Sequence, residues 1–183
     1  MKKKIVITGG LGYIGTELCK LYSGVSWHHK IIVIDNRFVS ERVSQIRNWN
    51  MEFIHGDILD KELVRKYCSD ADVIHHLAGV TSVPRTKSEA SEEHDKKIRE
   101  VGEIGTQNIL DVASSKCKIV FPSTHVVYEG IDKIKKDIKE DEVTKPVLSY
   151  ASSKAVNEEQ LKKSGKNYII LRLGSVYGYS TDS

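Results

Sequence analysis

Residues 4–15, with the sequence KIVITGGLGYIG, place a short β-branched run directly before a cluster of glycines. Two glycine fingerprints overlap in this stretch. Counted from Gly10 the spacing is G-x-G-x-x-G, and counted from Gly9 it is T-G-x-x-G-x-x-G, with Gly12 and Gly15 shared by both. Either one predicts a strand, a tight turn and a helix whose first backbone N–H groups hold the pyrophosphate of a dinucleotide. The stretch therefore predicts how the fold begins and leaves open which fingerprint applies.

The rest of the chain repeats the same alternation of short β-branched runs and longer segments of helical period. This pattern is typical of β-α-β units around a buried parallel sheet. Strands are predicted at residues 4–8, 30–35, 51–55, 71–78, 118–123 and 167–173, and helices near residues 12–22, 39–48, 60–67, 94–115 and 148–163. Right-handed crossovers then predict a Rossmann-type α/β fold, a doubly wound parallel sheet of strand order 3-2-1-4-5-6.

The composition indicates one globular domain, covering residues 1–183. Of these residues 39% are hydrophobic and 29% are charged, and the formal net charge is +3. Acidic and basic residues nearly balance and no long basic stripe occurs, so we expect no nucleic-acid partner. The apolar run after the first lysines is too short for a signal peptide, and no segment approaches the ~18 apolar residues of a membrane span. We therefore expect no membrane partner.

The cysteines and histidines predict neither disulfides nor a metal centre. Cys19, Cys68 and Cys117 are odd in number, far apart and set among apolar residues, which favours buried, reduced thiols and a cytoplasmic location. The histidine pairs at 28–29 and 75–76 are adjacent residues, and neighbours on a strand point to opposite faces of the sheet. Neither pair makes a good chelate, so we expect no metal.

The ends of the next three predicted strands supply the remainder of a dinucleotide cleft. Asp35 ends the second strand about 20 residues after Gly15, where a carboxylate can accept hydrogen bonds from both hydroxyls of an adenosine ribose. The same charge would repel a 2′-phosphate, so NAD is expected rather than NADP, although Arg37 nearby weakens this preference. Further cofactor contacts are expected at Asn36, Asp57, Ile58, Leu77, Ala78 and Gly79.

A candidate reacting centre follows the fifth strand. Tyr150 and Lys154 are four residues apart on a predicted helix and therefore share a face. A tyrosine with a pKa of ~10 acts as a base near neutral pH only if its phenolate is stabilised by about three units, or about 4 kcal/mol. A fixed lysine cation and a positively charged nicotinamide can supply that stabilisation. Ser123 and Thr124, at the end of the fifth strand, offer hydroxyls to the cofactor and the substrate.

One charge-dense segment, residues 131–146, interrupts the alternating pattern. Its composition is typical of a solvated loop or short surface helix. It also leaves the carboxyl end of a central strand, where open sheets bind ligands, so a place at the rim of the substrate cleft is the alternative.

Taken together, the motifs resemble those of the extended short-chain dehydrogenase/reductases, in particular the NAD-dependent epimerase/dehydratase group acting on nucleotide sugars. The matching motifs, in the family's order, are TGGLGYIG (8–15), IDN (34–36), GDI (56–58), HLAG (76–79), GTQNILDVA (105–113), PSTHVVY (122–128), EDEVTKPVLSYASSK (140–154) and LRLGSVYG (171–178). They extend over essentially the whole chain. In combination they are specific for the family and much less specific for a substrate.

The resemblance implies a role for each matching residue. Thr124 corresponds to the Ser/Thr of the catalytic triad and contacts substrate, Tyr150 to the acid/base, and Lys154 to the lysine that lowers the tyrosine pKa and binds the nicotinamide ribose. Ser175 stands where an Asn often lies near the substrate. The fingerprint counted from Gly9 is then the preferred one, and the implied cofactor-binding residues at the turn and the fifth strand are Gly9, Gly12, Tyr13, Ile14, Gly15 and Ser123.

Three departures from the family's pattern bear on the reaction. His125 and Val126 stand where the 4,6-dehydratase branch carries Asp-Glu, so an epimerase is expected rather than a dehydratase. Gly102 replaces a frequent Asn. Relatives usually continue past VYG into a small substrate domain, most of which this chain is expected to lack.

The outcome of the reaction stays open at this stage. The main hypothesis is an NAD-dependent nucleotide-sugar epimerase core in which hydride leaves a sugar carbon and returns to its other face. The alternatives are an NAD(P)-dependent reductase of a keto-sugar or other carbonyl, and a cofactor-binding module without turnover. The resemblance also implies a homodimer formed through the long helices.

Overall fold

Six parallel strands form one sheet in the computed structural model, which describes residues 2–81, 91–131 and 135–178. Their bounds are β1 (Lys4–Thr8), β2 (Lys30–Asp35), β3 (Glu52–His55), β4 (Val73–His76), β5 (Lys118–Thr124) and β6 (Asn167–Leu173). The strand order is β3-β2-β1-β4-β5-β6, and each neighbouring pair is parallel. The predicted fold class and strand order are confirmed.

Helices cover both faces of this sheet. Their bounds are α1 (Tyr13–Ser23), α2 (Ser40–Asn48), α3 (Lys61–Cys68), α4 (Glu92–Arg99), α5 (Gly105–Val112) and α6 (Ser149–Lys163). Side chains alternate along β1, so Ile5 and Ile7 pack in a core with α1 and α2, while Val6 packs in a second core with α3, α5 and α6. Burial on both faces explains the continuous Ile and Val runs in the middle of β1 and β2.

The helix predicted at residues 94–115 is wrong in detail, because a π-helical turn, Glu100–Ile104, separates α4 from α5. Gly102 lies in this turn against α6, and a Cβ at Gly102 would collide with Ser153 Oγ. The Gly102 carbonyl also accepts a hydrogen bond of 3.0 Å from Asn157 Nδ2. Close packing of two helices at a glycine thus accompanies the wider turn, and apolar spacing in the sequence does not distinguish an α turn from a π turn.

Four strand bounds also differ from the predictions. Two are starts: β3 begins at Glu52 rather than at residue 51, and β4 begins at Val73 rather than at residue 71. β4 stops at His76 instead of continuing to residue 78: the Leu77 N–H makes the last backbone bond to β1, to Thr8 O at 3.1 Å, and it also lies 3.2 Å from His75 O, a tight turn that ends the strand. β5 runs one residue further than predicted, to Thr124, and a 3₁₀ turn (His125–Tyr128) follows it directly. Within the described ranges, no helix is long and apolar enough to cross a membrane.

Candidate functional site

A cleft of about 690 Å³ lies at the carboxyl ends of the parallel strands. It is centred where the strand order reverses, between β1 and β4, which is where open α/β sheets bind their ligands. The segments after β1, β2, β3 and β4 line it, together with the last residues of β5, the end of β6 and the first turns of α6. Its size falls within the usual range for sites that take a small molecule or cofactor.

The glycine turn between β1 and α1 is shaped by close backbone approach. Gly9 has φ +70°, a conformation that L side chains rarely adopt, and a Cβ at this position would lie 2.6 Å from Ala78 N. A Cβ at Gly15 would collide with Gly9 O. A Cβ at Gly10 would likewise collide with Val33 Cγ1, so close packing favours glycine at Gly9, Gly10 and Gly15 and does not by itself choose between the two fingerprints.

The N-terminus of α1 is open to an anion. Gly12 occupies the N-cap position without a side-chain cap, and the first turn of the helix contains no acidic residue. The first backbone N–H groups of a helix need acceptors, and the helix dipole favours negative charge there. Gly12, Tyr13 and Ile14 line the cleft at this point. A pyrophosphate would meet both requirements.

Asp35 is fixed beneath the glycine turn at the end of β2. The residue is 6% exposed, and its Oδ2 accepts a hydrogen bond of 2.9 Å from Leu11 N. Its Oδ1 accepts from Arg37 N at 2.9 Å and lies 3.5 Å from Arg37 Nε. Two backbone donors therefore orient the carboxylate before any ligand arrives.

Arg37 brings a cation to the same end of the cleft. Its side chain is 52% exposed, and a Cβ built on Gly12 would lie 3.8 Å from Arg37 Nη2. Its guanidinium therefore reaches over the glycine turn while remaining close to Asp35. A guanidinium at this position attracts a 2′-phosphate. This agrees with the expectation from the sequence that Arg37 weakens the preference for NAD over NADP.

The ends of β2 and β3 are joined by side chains on the floor of the cleft. Asn36 Nδ2 donates to Asp57 Oδ2 at 2.9 Å, and Asp57 Oδ1 accepts from Leu59 N at 2.9 Å. Asn108, on α5, donates from its Nδ2 to the carbonyl of Ile58 at 3.0 Å. These bonds fix the predicted adenine side of the cleft, where Asn36, Asp57 and Ile58 are all lining residues.

A buried histidine holds the segment after β4. His76 is 1% exposed, with Nδ1 2.9 Å from Thr8 Oγ1 and Nε2 3.0 Å from Thr106 Oγ1. Thr8 Oγ1 also accepts a hydrogen bond of 3.3 Å from Ala78 N. Burial lowers the pKa of His76 to about 3, and the charge of Lys154 acts in the same direction. The ring is therefore neutral and supports the cleft wall formed by Leu77, Ala78 and Gly79.

Tyr150 and Lys154 line the cleft from the first turns of α6. Lys154 Nζ donates to Pro122 O at 2.9 Å, lies 4.4 Å from the Phe121 ring centroid and lies 5.9 Å from that of Tyr150. Burial lowers the pKa of Lys154 to about 8, while the charge of Glu158 opposes this change. Burial raises the pKa of Tyr150 above its ordinary value. Lowering of the Tyr150 pKa in the assembled site remains a prediction, which depends on Lys154 and a bound cofactor.

Ser123 and Thr124 stand side by side at the end of β5, with different roles for their hydroxyls. Thr124 Oγ1 accepts a hydrogen bond of 3.3 Å from Val126 N as the cap of the 3₁₀ turn, and its own proton is left for an acceptor in the cleft. The Ser123 hydroxyl instead donates to Glu158 Oε1 at 2.6 Å. The proton of Ser123 is thus directed into the protein interior rather than toward the cleft.

Apart from Ser175, every residue predicted for the site lines this one cleft. Ser175 is exposed, and it is its neighbours Gly174 and Val176 that line the cleft. Residues 135–146, the described part of the charge-dense segment beyond residue 131, do not line it; residues 132–134 lie outside the description.

One wall of the cleft, provided by α4 and the π-helical turn, was not predicted from the sequence. His94, Lys97 and Val101 line the cleft there, and Thr81 lines it in the segment after β4. His94, Lys97 and Val101 have the spacing i, i+3, i+7, which indicates a single helix face. That spacing was the available signal, but it did not indicate that this face is turned toward a ligand site.

Comparisons with known proteins agree with this architecture. The model of the NAD dependent epimerase/dehydratase family matches residues 5–183. Among curated proteins, the chain is 33% identical over 130 residues to UDP-N-acetyl-alpha-D-glucosaminuronate decarboxylase of Bacillus cytotoxicus, covering 70% of this chain and 38% of that protein. It is 30% identical to CDP-paratose 2-epimerase of Salmonella typhi, covering 96% of this chain and 58% of that protein.

A solved structure shows the same fold over the whole chain. The Bordetella bronchiseptica enzyme WbmH in complex with NAD+ matches with a TM-score of 0.79 and 27% identity, covering 100% of this chain and 59% of that one. The chain therefore spans roughly half the length of the relatives it matches.

Proposed function

The chain belongs to the NAD-dependent epimerase/dehydratase family, and from this premise we propose that it is the cofactor-binding core of an NAD-dependent nucleotide-sugar epimerase. One observation carries the proposal. The glycine turn, Asp35, Thr124, Tyr150 and Lys154 come from four separate parts of the sequence and line a single cleft. A cofactor held at the first two would therefore extend toward the other three.

The cleft fits NAD at each of its parts. The backbone of the glycine turn packs too closely for a Cβ at Gly9 or Gly15, and the uncapped N-terminus of α1 that follows it offers N–H groups to a pyrophosphate. Asp35 would hold the adenosine ribose, Asp57 and Ile58 would border the adenine, and the segment from Leu77 to Gly79 would lie beneath the nicotinamide ribose. When bound, NAD accepts a hydride from a sugar carbon and can return it to the opposite face.

The proton steps of the proposed reaction belong to the side chains of this chain. Tyr150 would take the proton from the sugar hydroxyl as hydride leaves the same carbon, and return it after the hydride comes back. The ammonium of Lys154 would stabilise the phenolate and bind the nicotinamide ribose. Thr124 would donate its free hydroxyl proton to the substrate oxygen. Ser123, whose proton is directed to Glu158, would contact the cofactor through its backbone.

An epimerase is proposed rather than a 4,6-dehydratase because of the residues after Thr124. Elimination of water requires an acid and a base there, and this chain has His125 and Val126. His125 Nδ1 lies 3.1 Å from Leu173 O, so its ring is occupied with the end of β6. Loss of water from a sugar would lack the Asp-Glu pair that the 4,6-dehydratase branch carries at these two positions.

The proposal also covers the substrate class, the oligomeric state and the cellular location. Matched relatives carry names of enzymes acting on UDP- and CDP-sugars, which supports a nucleotide-sugar substrate.

We also propose that residues 1–183 form a single NAD-binding domain that pairs with a second copy through its long helices. A reducing, cytoplasmic setting is supported by Cys19, Cys68 and Cys117, which the structure shows as buried free thiols.

Turnover tests this proposal directly. The protein as its gene encodes it, incubated with NAD and a panel of UDP-, GDP-, dTDP- and CDP-sugars, should form an epimerised sugar without net consumption of cofactor. The Tyr150→Phe variant removes only the hydroxyl, and we expect kcat to fall by about 10²–10⁴-fold with binding of NAD retained. Proton NMR of the sugar anomeric region measures the product.

The Tyr67→Phe variant is the matched control, because Tyr67 lies on α3 outside the cleft; it should keep full activity. Undiminished turnover by the Tyr150→Phe variant would contradict the proposed mechanism. Stoichiometric oxidation of reduced cofactor would indicate the carbonyl reductase instead.

A further inference from the structure

A buried carboxylate lies directly behind the proposed reacting centre. Glu158 is 2% exposed and sits on α6 one turn after Lys154, so that both side chains lie on the same side of the helix. Glu158 does not itself line the cleft, whereas Lys154 does. A buried charge of this kind is unfavourable unless it is paired, so its partners indicate what it does.

Glu158 has three partners: Arg172, Ser123 and, more weakly, Lys162, whose Nζ lies 4.0 Å from Oε2. Arg172, on β6, donates from Nε to Oε1 at 2.9 Å and from Nη2 to Oε2 at 2.6 Å. Ser123, on β5, donates its hydroxyl proton to Oε1 at 2.6 Å. These bonds hold the pKa of Glu158 below its ordinary value, although burial acts in the opposite direction. The carboxylate is thus ionised and joins α6 to both strands at the end of the cleft.

The same contacts form a closed loop of interactions with Lys154. Lys154 Nζ donates to the carbonyl of Pro122, the residue before Ser123. The Ser123 hydroxyl donates to Glu158, and Glu158 lies on α6 one turn after Lys154. The strand end that receives the lysine is therefore held by the glutamate one helical turn further on.

Arg172 carries the network outward to the charge-dense segment. Its Nη1 donates to the hydroxyl of Tyr128 and, at 2.8 Å, to the carbonyl of Glu140. The Tyr128 hydroxyl donates in turn to Lys139 O at 3.1 Å. The segment that the sequence analysis considered for the rim of the cleft is thereby attached to the back of the site, next to Glu158.

We propose that Glu158 is a positioning residue for Lys154: through Ser123 it holds the strand end whose Pro122 carbonyl accepts from the Lys154 amine, and it places a buried carboxylate one helical turn from that amine. The inference rests on the proposed function, in which Lys154 must carry a positive charge beside the cofactor.

The surroundings of Lys154 explain why such a charge is needed. From β4, His76 faces it as a neutral ring; from β5, it meets the ring of Phe121 and the carbonyl of Pro122; from α6, Tyr150 and Glu158 lie within electrostatic reach. Tyr150 is uncharged while protonated. Glu158 is the anion that acts on Lys154 from these elements, and its charge raises the lysine pKa against the effect of burial.

A purely structural ion pair makes a different prediction. If Glu158 served only to pair with Arg172 and join α6 to β6, its removal would lower the stability of the fold and leave the titration of Lys154 in place. If it positions Lys154, its removal lowers the pKa of that amine. The two roles are separated by a measurement on Lys154 itself.

The measurement is a pH titration of the 183-residue chain, followed by NMR of isotope-labelled lysine ε-carbons. The spectrum of the Lys154→Arg variant assigns the signal. In Glu158→Gln, which keeps the size of the side chain, we expect the Lys154 pKa to fall by about one unit, a tenfold change in its acid dissociation constant. Glu158→Asp, which keeps the charge, should recover most of the shift.

Glu159→Gln is the matched control. Glu159 is the next residue on α6, its side chain is 54% exposed and its carboxylate pairs with Lys162 at 2.8 Å; its removal should leave the Lys154 pKa unchanged. Where Glu158→Gln alone fails to fold, the double variant Glu158→Gln with Arg172→Met removes the unpaired guanidinium, and a fall in the Lys154 pKa is expected again.

An unchanged Lys154 pKa in the Glu158 variants, or an equal fall in Glu159→Gln, would overturn the inference. The titration needs neither cofactor nor turnover, so failure of the proposed function, seen as an absence of NAD binding or epimerisation, is a separate result. In the active enzyme the same shift moves the alkaline limb of the pH profile to lower pH in Glu158→Gln and leaves it in place in Glu159→Gln.

Discussion

Lys154 shows at the scale of one residue how a proposed catalytic group conflicts with stability. Its amine lies over the ring of Phe121 and donates to a backbone carbonyl, yet burial lowers its pKa from 10.5 to about 8. Between these values the unfolded chain binds more protons than the folded one, so this residue makes stability rise with pH in that window. Below about pH 8 both states are charged, and the full desolvation penalty remains.

Replacing this lysine should therefore stabilise the chain. Lys154→Met keeps a similar stem without the charge, while Glu158 retains Arg172 and Ser123 as partners. We expect a higher Tm near pH 7, by about 2–4 °C for each kcal/mol gained, with a smaller gain as the pH approaches 10. Thermal unfolding followed by circular dichroism measures it. Lys162→Met, an exposed change on the same helix, should have little effect, and a lower Tm for Lys154→Met would refute the expectation.

His76 connects three elements of the fold, because its ring joins Thr8 of β1 to Thr106 of α5 while it is itself part of β4. Its pKa of about 3 in the folded state is well below the ordinary value of 6.5. A depressed pKa means that the unfolded chain takes up the proton first as the pH falls. The stability that the neutral ring provides is present above about pH 6.5 and is lost as the pH falls toward 3.

Acid should thus weaken the junction of these elements. We expect His76 alone to lower the free energy of unfolding by about 1.4 kcal/mol for each pH unit below 6, measured by urea denaturation at several pH values. His76→Gln should remove that part of the slope, and the exposed His28→Gln should keep it. Equal slopes in His76→Gln and the parent chain would show that the ring is not the group responsible.

The elements also show what the sequence could and could not predict. β1 and β2 were predicted with their bounds, because burial on both faces requires continuous Ile and Val and the turn after β1 requires glycine. The π-helical turn was missed, because it depends on the contact of Gly102 with Ser153, which are distant in sequence. Glu158 was missed for a similar reason: a glutamate on a helix predicts exposure, and its partners on β5 and β6 are known only once the chain has folded.

At the scale of the whole molecule, parallel topology gathers the site. Every strand ends at the same edge of the sheet, so motifs spread from Gly9 to Lys154 meet in one cleft although no motif alone specifies a site. Ser175 shows the limit of this reasoning, because it follows the last described strand and is exposed, while its two neighbours line the cleft. Position after a strand predicts the neighbourhood of a residue and not the direction of its side chain.

Binding of NAD to the 183-residue chain, measured by isothermal titration calorimetry, tests the central claim most directly. We predict one NAD per chain, weaker binding of NADP, and at least about tenfold weaker binding of NAD by Asp35→Asn, which removes the charge of a hydrogen-bonding carboxylate. The exposed Asp141→Asn should bind as the parent does. A folded chain that binds no NAD, or that binds it equally well after Asp35→Asn, would contradict the account.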